Sequence, residues 1–222
     1  MTSAIDVFKE LSISERTLIR RLIQDGQTIV QVSSSGSEWA EAALAERQNI
    51  RALLYASPEA ERDARGRLGL NQAEELSPGS SNNTGLNLDE DTAAEGIPHI
   101  HFLNIGSMSM GRHILRGAKT LLAQGRIDFI QLPVDTHDFL TGRALVEMLA
   151  ERRYGMFEIE VRVRNEIRLT PYLIFNPNRG RSIVSVLAIR EGLIRQTSLL
   201  LLQSTLQDSA LQLPSTIPAS VP

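Results

Sequence analysis

Apolar positions along the chain change period several times, and each change marks an element. Near the N-terminus Ser12 and Glu15 form a capping box, and Leu18, Ile19, Leu22 and Ile23 fall on one helical stripe that stops at Gly26. The run Thr28 to Val32, bounded by Gly26 and the Ser33 to Ser37 cluster, predicts a buried strand, and the helix formers of WAEAALAERQ predict the helix after it. Ile50 to Ala56 predicts a second strand. Ser57 then caps a helix with Pro58 at its first position, where the missing amide is harmless, and Glu59 near the positive end of the dipole.

Ser77 to Gly85, SPGSSNNTG, is turn chemistry without periodicity, and the βα alternation stops there. It resumes with an acidic segment at Leu88 to Glu95, a strand at His99 to Ile105, a helix at Met110 to Gln124 and a strand at Ile127 to Val134. Asp138 caps a further helix that ends near Tyr154. Beyond it the period becomes two: Phe157, Ile159, Val161 and Val163 alternate with Glu158, Glu160, Arg162 and Arg164, as in a strand with one solvated face. Asn165 and Glu166 make a turn, and Ser182 to Arg190 supplies another strand. Alternating βα units closed by an antiparallel pair predict a mixed, mostly parallel α/β sheet with helices on both faces.

From Gln196 the residues shift to Leu, Ser, Thr, Gln and Pro; Leu199 to Leu206 is compatible with a short helix, but LPSTIPASVP cannot continue it and is expected to be extended or disordered. The expected organisation is an N-terminal helical segment over 1–25, an α/β domain over 26–195, and an extended tail over 196–222. The tail is too small to bury its own apolar residues. Leu199, Leu200, Leu201, Leu202, Leu206, Leu211 and Leu213 are therefore its candidate partner-binding residues.

With 222 residues, 42% hydrophobic and 22% charged, the chain can bury one full α/β core. A net charge of −3 supplies no field for polyanions, so nucleic acid is not expected as a partner. The absence of cysteine removes disulfides, thiolate nucleophiles and cysteine metal sites. MTSAIDVFKELS lacks the pattern of a signal peptide, and no apolar run approaches the ~20 residues of a spanning helix, so a cytoplasmic protein that does not cross a membrane is expected.

Residues 102–132, FLNIGSMSMGRHILRGAKTLLAQGRIDFIQL, resemble the C-terminal half of the FkbM-type S-adenosylmethionine methyltransferases, where the stretch reads approximately FLKIDVEGxExxVLxGAxxLL. LDEDTAAEGIPHIHFLNI is similar to that family's LDDxxxExxxIxxIDFLKI, and LVEMLAERRYGMFEI resembles its helix into the next strand. The likeness spans roughly residues 26–190. It implies a Rossmann-like methyltransferase sheet.

Against this pattern the chemistry is missing. Asn104 replaces the family's lysine, Gly106 the aspartate, Met108 the first glutamate, Ser109 the glycine and Gly111 the second glutamate. The cofactor turn D-V-G-A-N-x-G-x-[YF] corresponds to Gln31 through Trp39, with Gln31 for the aspartate and Ser33 and Ser37 for the glycines that let the backbone approach the ligand. LYASPEA puts Tyr55 where FEPxPEA has the ribose-binding acid, and between Leu70 and Leu86 the edge strand with its adenine loop is missing.

The resemblance therefore implies vestigial cofactor positions at Gln31, Ser33, Ser37, Tyr55, Gly106 and Met108, with no catalytic residue and no cofactor. The expected function is a non-catalytic methyltransferase-like interaction, linker or scaffold subunit of a larger assembly. The alternative is a divergent O-methyltransferase using S-adenosylmethionine. Two clusters could hold a metal: His99 with His101, two apart on a strand, and Asp135, His137 and Asp138 at a strand end. A strand entrance and a helix cap account for them without one, so no metal is expected. Asp89, Glu90 and Asp91 read as a solvated helix start. Arg152, Arg153, Arg162, Arg164, Arg168, Arg179, Arg181, Arg190 and Arg195 make the C-terminal third basic, which suits protein partners with an acidic surface.

Overall fold

The computed structural model describes residues 11–33, 36–55, 76–78, 87–161, 167–172 and 183–201. In chain order these form α1 (Ile13–Leu22), β1 (Thr28–Val32), α2 (Glu38–Glu46), β2 (Arg51–Tyr55), β3 (Leu76–Pro78), α3 (Leu88–Ala94), β4 (Ile100–Ile105), α4 (Met108–Gly117), α5 (Lys119–Ala123), β5 (Ile127–Asp135), α6 (Phe139–Glu151), β6 (Tyr154–Val161), β7 (Ile167–Pro171) and β8 (Ile183–Arg190). A 3-10 turn at Glu191–Leu193 leads into a helix over residues 194–201, here α7. The helix cap at Ser57, Pro58 and Glu59, the turn at Asn165 and Glu166, and residues 202–222 lie outside the described residues.

The strands form one sheet in the order β3-β2-β1-β4-β5-β8-β6-β7. β1 to β5 are mutually parallel, and β8 enters between β5 and β6 antiparallel to both. β7 pairs antiparallel with β6 at the far edge. The predicted α/β class, mixed sheet and antiparallel closure are all present, with β7 added. The expected loss of the β3-side edge strand is corrected: Leu76–Pro78 pairs parallel with Ala52 to Leu54. A strand of 3 residues carries too little pattern to be read, and its Pro78 is tolerable only at an edge.

Period-two alternation splits the core between the two faces. Val30, Val32, Leu53, Leu103, Ile105, Ile130 and Leu132 pack on one side against α4, α5 and α6 through Ile114, Leu115, Leu121, Leu122, Leu145 and Leu149. Ile29, Leu54, Phe102, Phe129 and Leu187 pack on the other against Leu18, Ile19, Leu22 and Ile23 of α1 and Trp39, Ala43 and Leu44 of α2. Trp39 lies 4.8 Å from Phe102 between ring centroids. The N-terminal helix, with the capping box of Ser12 and Glu15 formed, is thus one wall of the second core and no separate segment.

The helix expected over Met110 to Gln124 is two helices. It starts at Met108, capped by Ser107, and breaks at Ala118. The Asp89 carboxylate on α3 accepts the amides of Thr120 at 2.8 Å and Leu121 at 2.9 Å and so supplies the first turn of α5 with its cap. Local sequence could not show a cap donated from another helix.

Candidate functional site

In a sheet of this order, the chain runs from β1 toward β3 and then returns to place β4 on the other side of β1, so the β1 and β4 ends flank the topological switch point where open α/β sheets bind ligands. Both connecting turns meet there. The Gly106 amide donates to the Val32 carbonyl at 2.7 Å and the Ser33 amide to the Tyr55 carbonyl at 2.9 Å, which extends the ladders past the strand ends. Ser33 Oγ accepts the Gly36 amide at 3.2 Å. A Cβ on Gly106 would stand 3.2 Å from Ser33 Oγ and 3.3 Å from the Val32 carbonyl oxygen, so an aspartate here would press on the β1 turn.

Beneath the turns, buried Gln31 closes its own loop. Its Nε2 donates to the Gly36 carbonyl at 3.1 Å, and its Oε1 accepts the Ala40 amide of α2 at 2.7 Å. In register with it across the sheet are Asn104 on β4 and Gln131 on β5. Asn104 Nδ2 donates to Gln131 Oε1 at 3.3 Å, and Gln131 Nε2 donates to Ser185 Oγ on β8 at 3.2 Å. This row of amides is 4–7% exposed and is satisfied by neutral hydrogen bonds of 2.7 to 3.3 Å. Sequence comparison singled out Gln31 and Asn104 separately; Gln131 and Ser185 were missed, because only sheet register places them beside Asn104.

Fully buried Ser37 starts α2, and its hydroxyl donates to the Glu41 carboxylate at 2.5 Å. At the end of β2, the Tyr55 hydroxyl donates to Asp91 Oδ2 at 2.7 Å. Burial raises the Tyr55 pKa well above the ordinary phenol value, and the Asp91 carboxylate raises it further. Asp89 and Asp91 thus hold α5 and β2, where the sequence reading made them a solvated start. Met108 Sδ accepts the Asp135 amide at 3.3 Å. Buried Gly111 faces Leu132, Leu145 and Ile105, so a glutamate there would enter the apolar core. All six vestigial positions except Met108 therefore converge on the β1, β2 and β4 ends, and Met108 links β4's turn to β5.

The His99 and His101 cluster lies at the opposite, amino-terminal edge. His99 Nε2 is 3.0 Å from Asp128 Oδ2, while Arg190 Nη2 donates to Asp128 Oδ1 at 2.8 Å. His101 Nδ1 accepts the Thr28 amide at 3.1 Å, which leaves the proton of a neutral ring on Nε2. Burial, then the neighbouring His99, lowers the His101 pKa. The donor atoms of His99, His101 and Asp128 lie within 4.8 Å of one another, but His101's lone pair is committed to a backbone amide and Asp128 to a guanidinium. These contacts join the starts of β1, β4 and β5 to the end of β8. In the second cluster Asp135 Oδ1 accepts the His137 amide at 2.8 Å and Asp138 Oδ1 the Thr141 amide at 3.2 Å, so both carboxylates cap a turn and α6. Hydrogen bonding by Thr141 lowers the Asp138 pKa.

The tail boundary expected at residue 196 falls inside α7, so 196–201 is helical and not extended. Leu201 is buried in the second core, with Leu193 and Ile194 packed on it, whereas Leu199 and Leu200 are 51% and 36% exposed. Leu202, Leu206, Leu211 and Leu213 lie outside the described residues, as do Arg162, Arg164, Arg179 and Arg181. Arg153 pairs with Glu191 at 3.2 Å and Arg190 with Asp128. Among the described residues no helix is long and apolar enough to cross a membrane.

Scans of protein-family models and of curated protein sequences returned no match to this chain. Solved structures do match in fold. The precorrin-6y C5,15-methyltransferase of Geobacter metallireducens GS-15 superposes with a TM-score of 0.50 at 15% identity, over 79% of this chain and 87% of that one. The METTL16 methyltransferase domain superposes with a TM-score of 0.52 at 12% identity, over 80% of this chain and 64% of that one. At such identities the likeness concerns architecture alone. The chain has a methyltransferase-like α/β fold.

Proposed function

We propose that this is a methyltransferase-fold protein without methyl-transfer chemistry, acting as an interaction, linker or scaffold subunit of a larger protein assembly in the cytoplasm. The observation that carries the reading is the double hydrogen bond of Gln31 to its own β1–α2 turn. Where the FkbM-type pattern has a carboxylate, this amide is neutral, buried and satisfied from within. The residues at the crevice do not fit S-adenosylmethionine. Tyr55 fills the end of β2 and spends its hydroxyl on Asp91, Ser33 stands against Gly106, and neither β1 nor β2 ends in an acid. Losing several contacts worth about 1–3 kcal/mol each is enough to remove micromolar binding.

The fold shared with methyltransferases favours one second reading, a divergent O-methyltransferase that uses S-adenosylmethionine. Affinity purification of the full chain from its native source, followed by reconstitution with the partner recovered, tests the first reading. A partner bound at fixed stoichiometry is expected. A protein that purifies alone and methylates an oxygen acceptor would establish the second.

A further inference from the structure

The exposed surface of α4 carries basic side chains with no carboxylate beside them; Arg152, Arg168 and Arg195 also contact none among the described residues, but they stand at three different elements. Arg20, Arg51, Arg143, Arg153 and Arg190 each contact a carboxylate, at 2.6 to 3.2 Å. Arg112, Arg116 and Lys119 make no such contact among the described residues, and residues 106–126 contain no aspartate or glutamate. All three are exposed, as is His113, while Gly111, Ile114, Leu115 and Ala118 bury the opposite side of the same helical stretch. Arg112 and Arg116 are one helical turn apart on one face, and Lys119 opens α5 beyond them. In a chain of net charge −3, these three cations are aligned along one helical stretch with no acid among residues 106–126.

We infer that the exposed face of α4, with the start of α5, docks an acidic helix of a partner protein, whose carboxylates repeat at the same turn spacing. This deepens the subunit reading above and rests on it for the existence of a partner. Unpaired guanidiniums supply bidentate geometry for carboxylates as well as charge. Charge complementarity of this kind sets orientation and association rate. An RNA strand suits the face less well: it carries three formal charges and no Phe, Tyr or Trp, with His113 its single ring on which a base could stack.

The test uses the full chain and a fluorescent synthetic peptide of about 20 residues, long enough to be helical alone, with glutamates repeated at i, i+4 and i+7. The wild-type chain should bind it. R112E/R116E/K119E should weaken binding by at least about tenfold, and the neutral variant R112Q/R116Q/K119Q should fall between the two. R143E/R152E/R195E, an equal change of charge elsewhere, should stay within about twofold of wild type. All three altered α4 and α5 side chains are exposed, and circular dichroism checks that each variant folds. No binding by the wild type, equal binding by R112E/R116E/K119E, or tighter binding of a single-stranded RNA of matched charge would overturn the proposal. Titration with S-adenosylmethionine separates the two readings. Saturable cofactor binding alongside peptide binding would retain this face and discard the non-catalytic subunit, whereas loss of the peptide without cofactor binding would discard the face alone.

Discussion

Gln31 Oε1 accepts the Ala40 amide at 2.7 Å, so the first turn of α2 is tied to the end of β1 by a neutral buried side chain. An aspartate is one methylene shorter and cannot donate to the Gly36 carbonyl that Gln31 Nε2 now satisfies. Gln31→Asp should therefore destabilise the fold by about 1–3 kcal/mol and gain no cofactor binding. Urea denaturation midpoints with an unchanged slope measure the first part. A variant as stable as wild type would mean that the amide is not needed by the turn.

Alkaline pH should unfold the protein through its buried phenols. The unfolded chain titrates tyrosine near 10.0, while burial raises the folded pKa of both Tyr55 and Tyr154. Above that pH the unfolded state holds fewer protons than the folded state, so stability is lost as pH rises, by about 1.4 kcal/mol per pH unit for each tyrosine. Tyr55→Phe should cost about 0.5–1.5 kcal/mol at neutral pH through the lost bond to Asp91, and should remove about half of the tyrosine-linked slope above pH 10. An unchanged alkaline slope in the variant would contradict the burial of Tyr55.

Acid acts at the other end of the sheet. His101 accepts the Thr28 amide in its neutral form, and its folded pKa lies below the ordinary 6.5. Below the unfolded pKa the unfolded chain takes up a proton that the folded chain refuses, so stability falls as pH drops from 6.5 toward the folded value. Comparing denaturation at pH 7 and pH 5 should show this loss, and His101→Gln should reduce it. A His101→Gln variant with the wild-type pH dependence would assign the acid sensitivity to another group.

The sequence carried the strand periods, the capping box of Ser12 and Glu15 and the helices between strands, because each depends on neighbours within a few positions. It could not carry β3, whose 3 residues end in Pro78, or the break at Ala118, after which Asp89 from another helix caps α5. The candidate site was legible as a set of substitutions at Gln31, Ser33, Tyr55 and Gly106. What each replacement does instead was not. The partners of Gln31, Tyr55 and Asn104 are set by turn geometry and sheet register, and the closeness of Ser33 to Gly106 follows from two strand ends lying side by side.

The leucines at the start of the tail should separate into two kinds. Leu201 is buried against the second core, so Leu201→Ala should cost about 2 kcal/mol or more. Leu199 and Leu200 are exposed, and alanine at either should change stability by less than about 0.5 kcal/mol. Among the described tail leucines these two are exposed to a partner, and their replacement should weaken assembly without lowering the melting temperature. Equal stability losses at Leu199 and Leu201 would contradict the orientation of α7.

Isothermal titration of the full chain with S-adenosylmethionine and with S-adenosylhomocysteine addresses the central claim most directly. With Gln31 engaged by its own turn, Tyr55 by Asp91 and Ser33 packed against Gly106, neither ligand should give saturable heat at concentrations up to about 100 µM. Saturable binding tighter than that, worth about 5.5 kcal/mol or more, would contradict the claim and leave the divergent methyltransferase as the account of this protein.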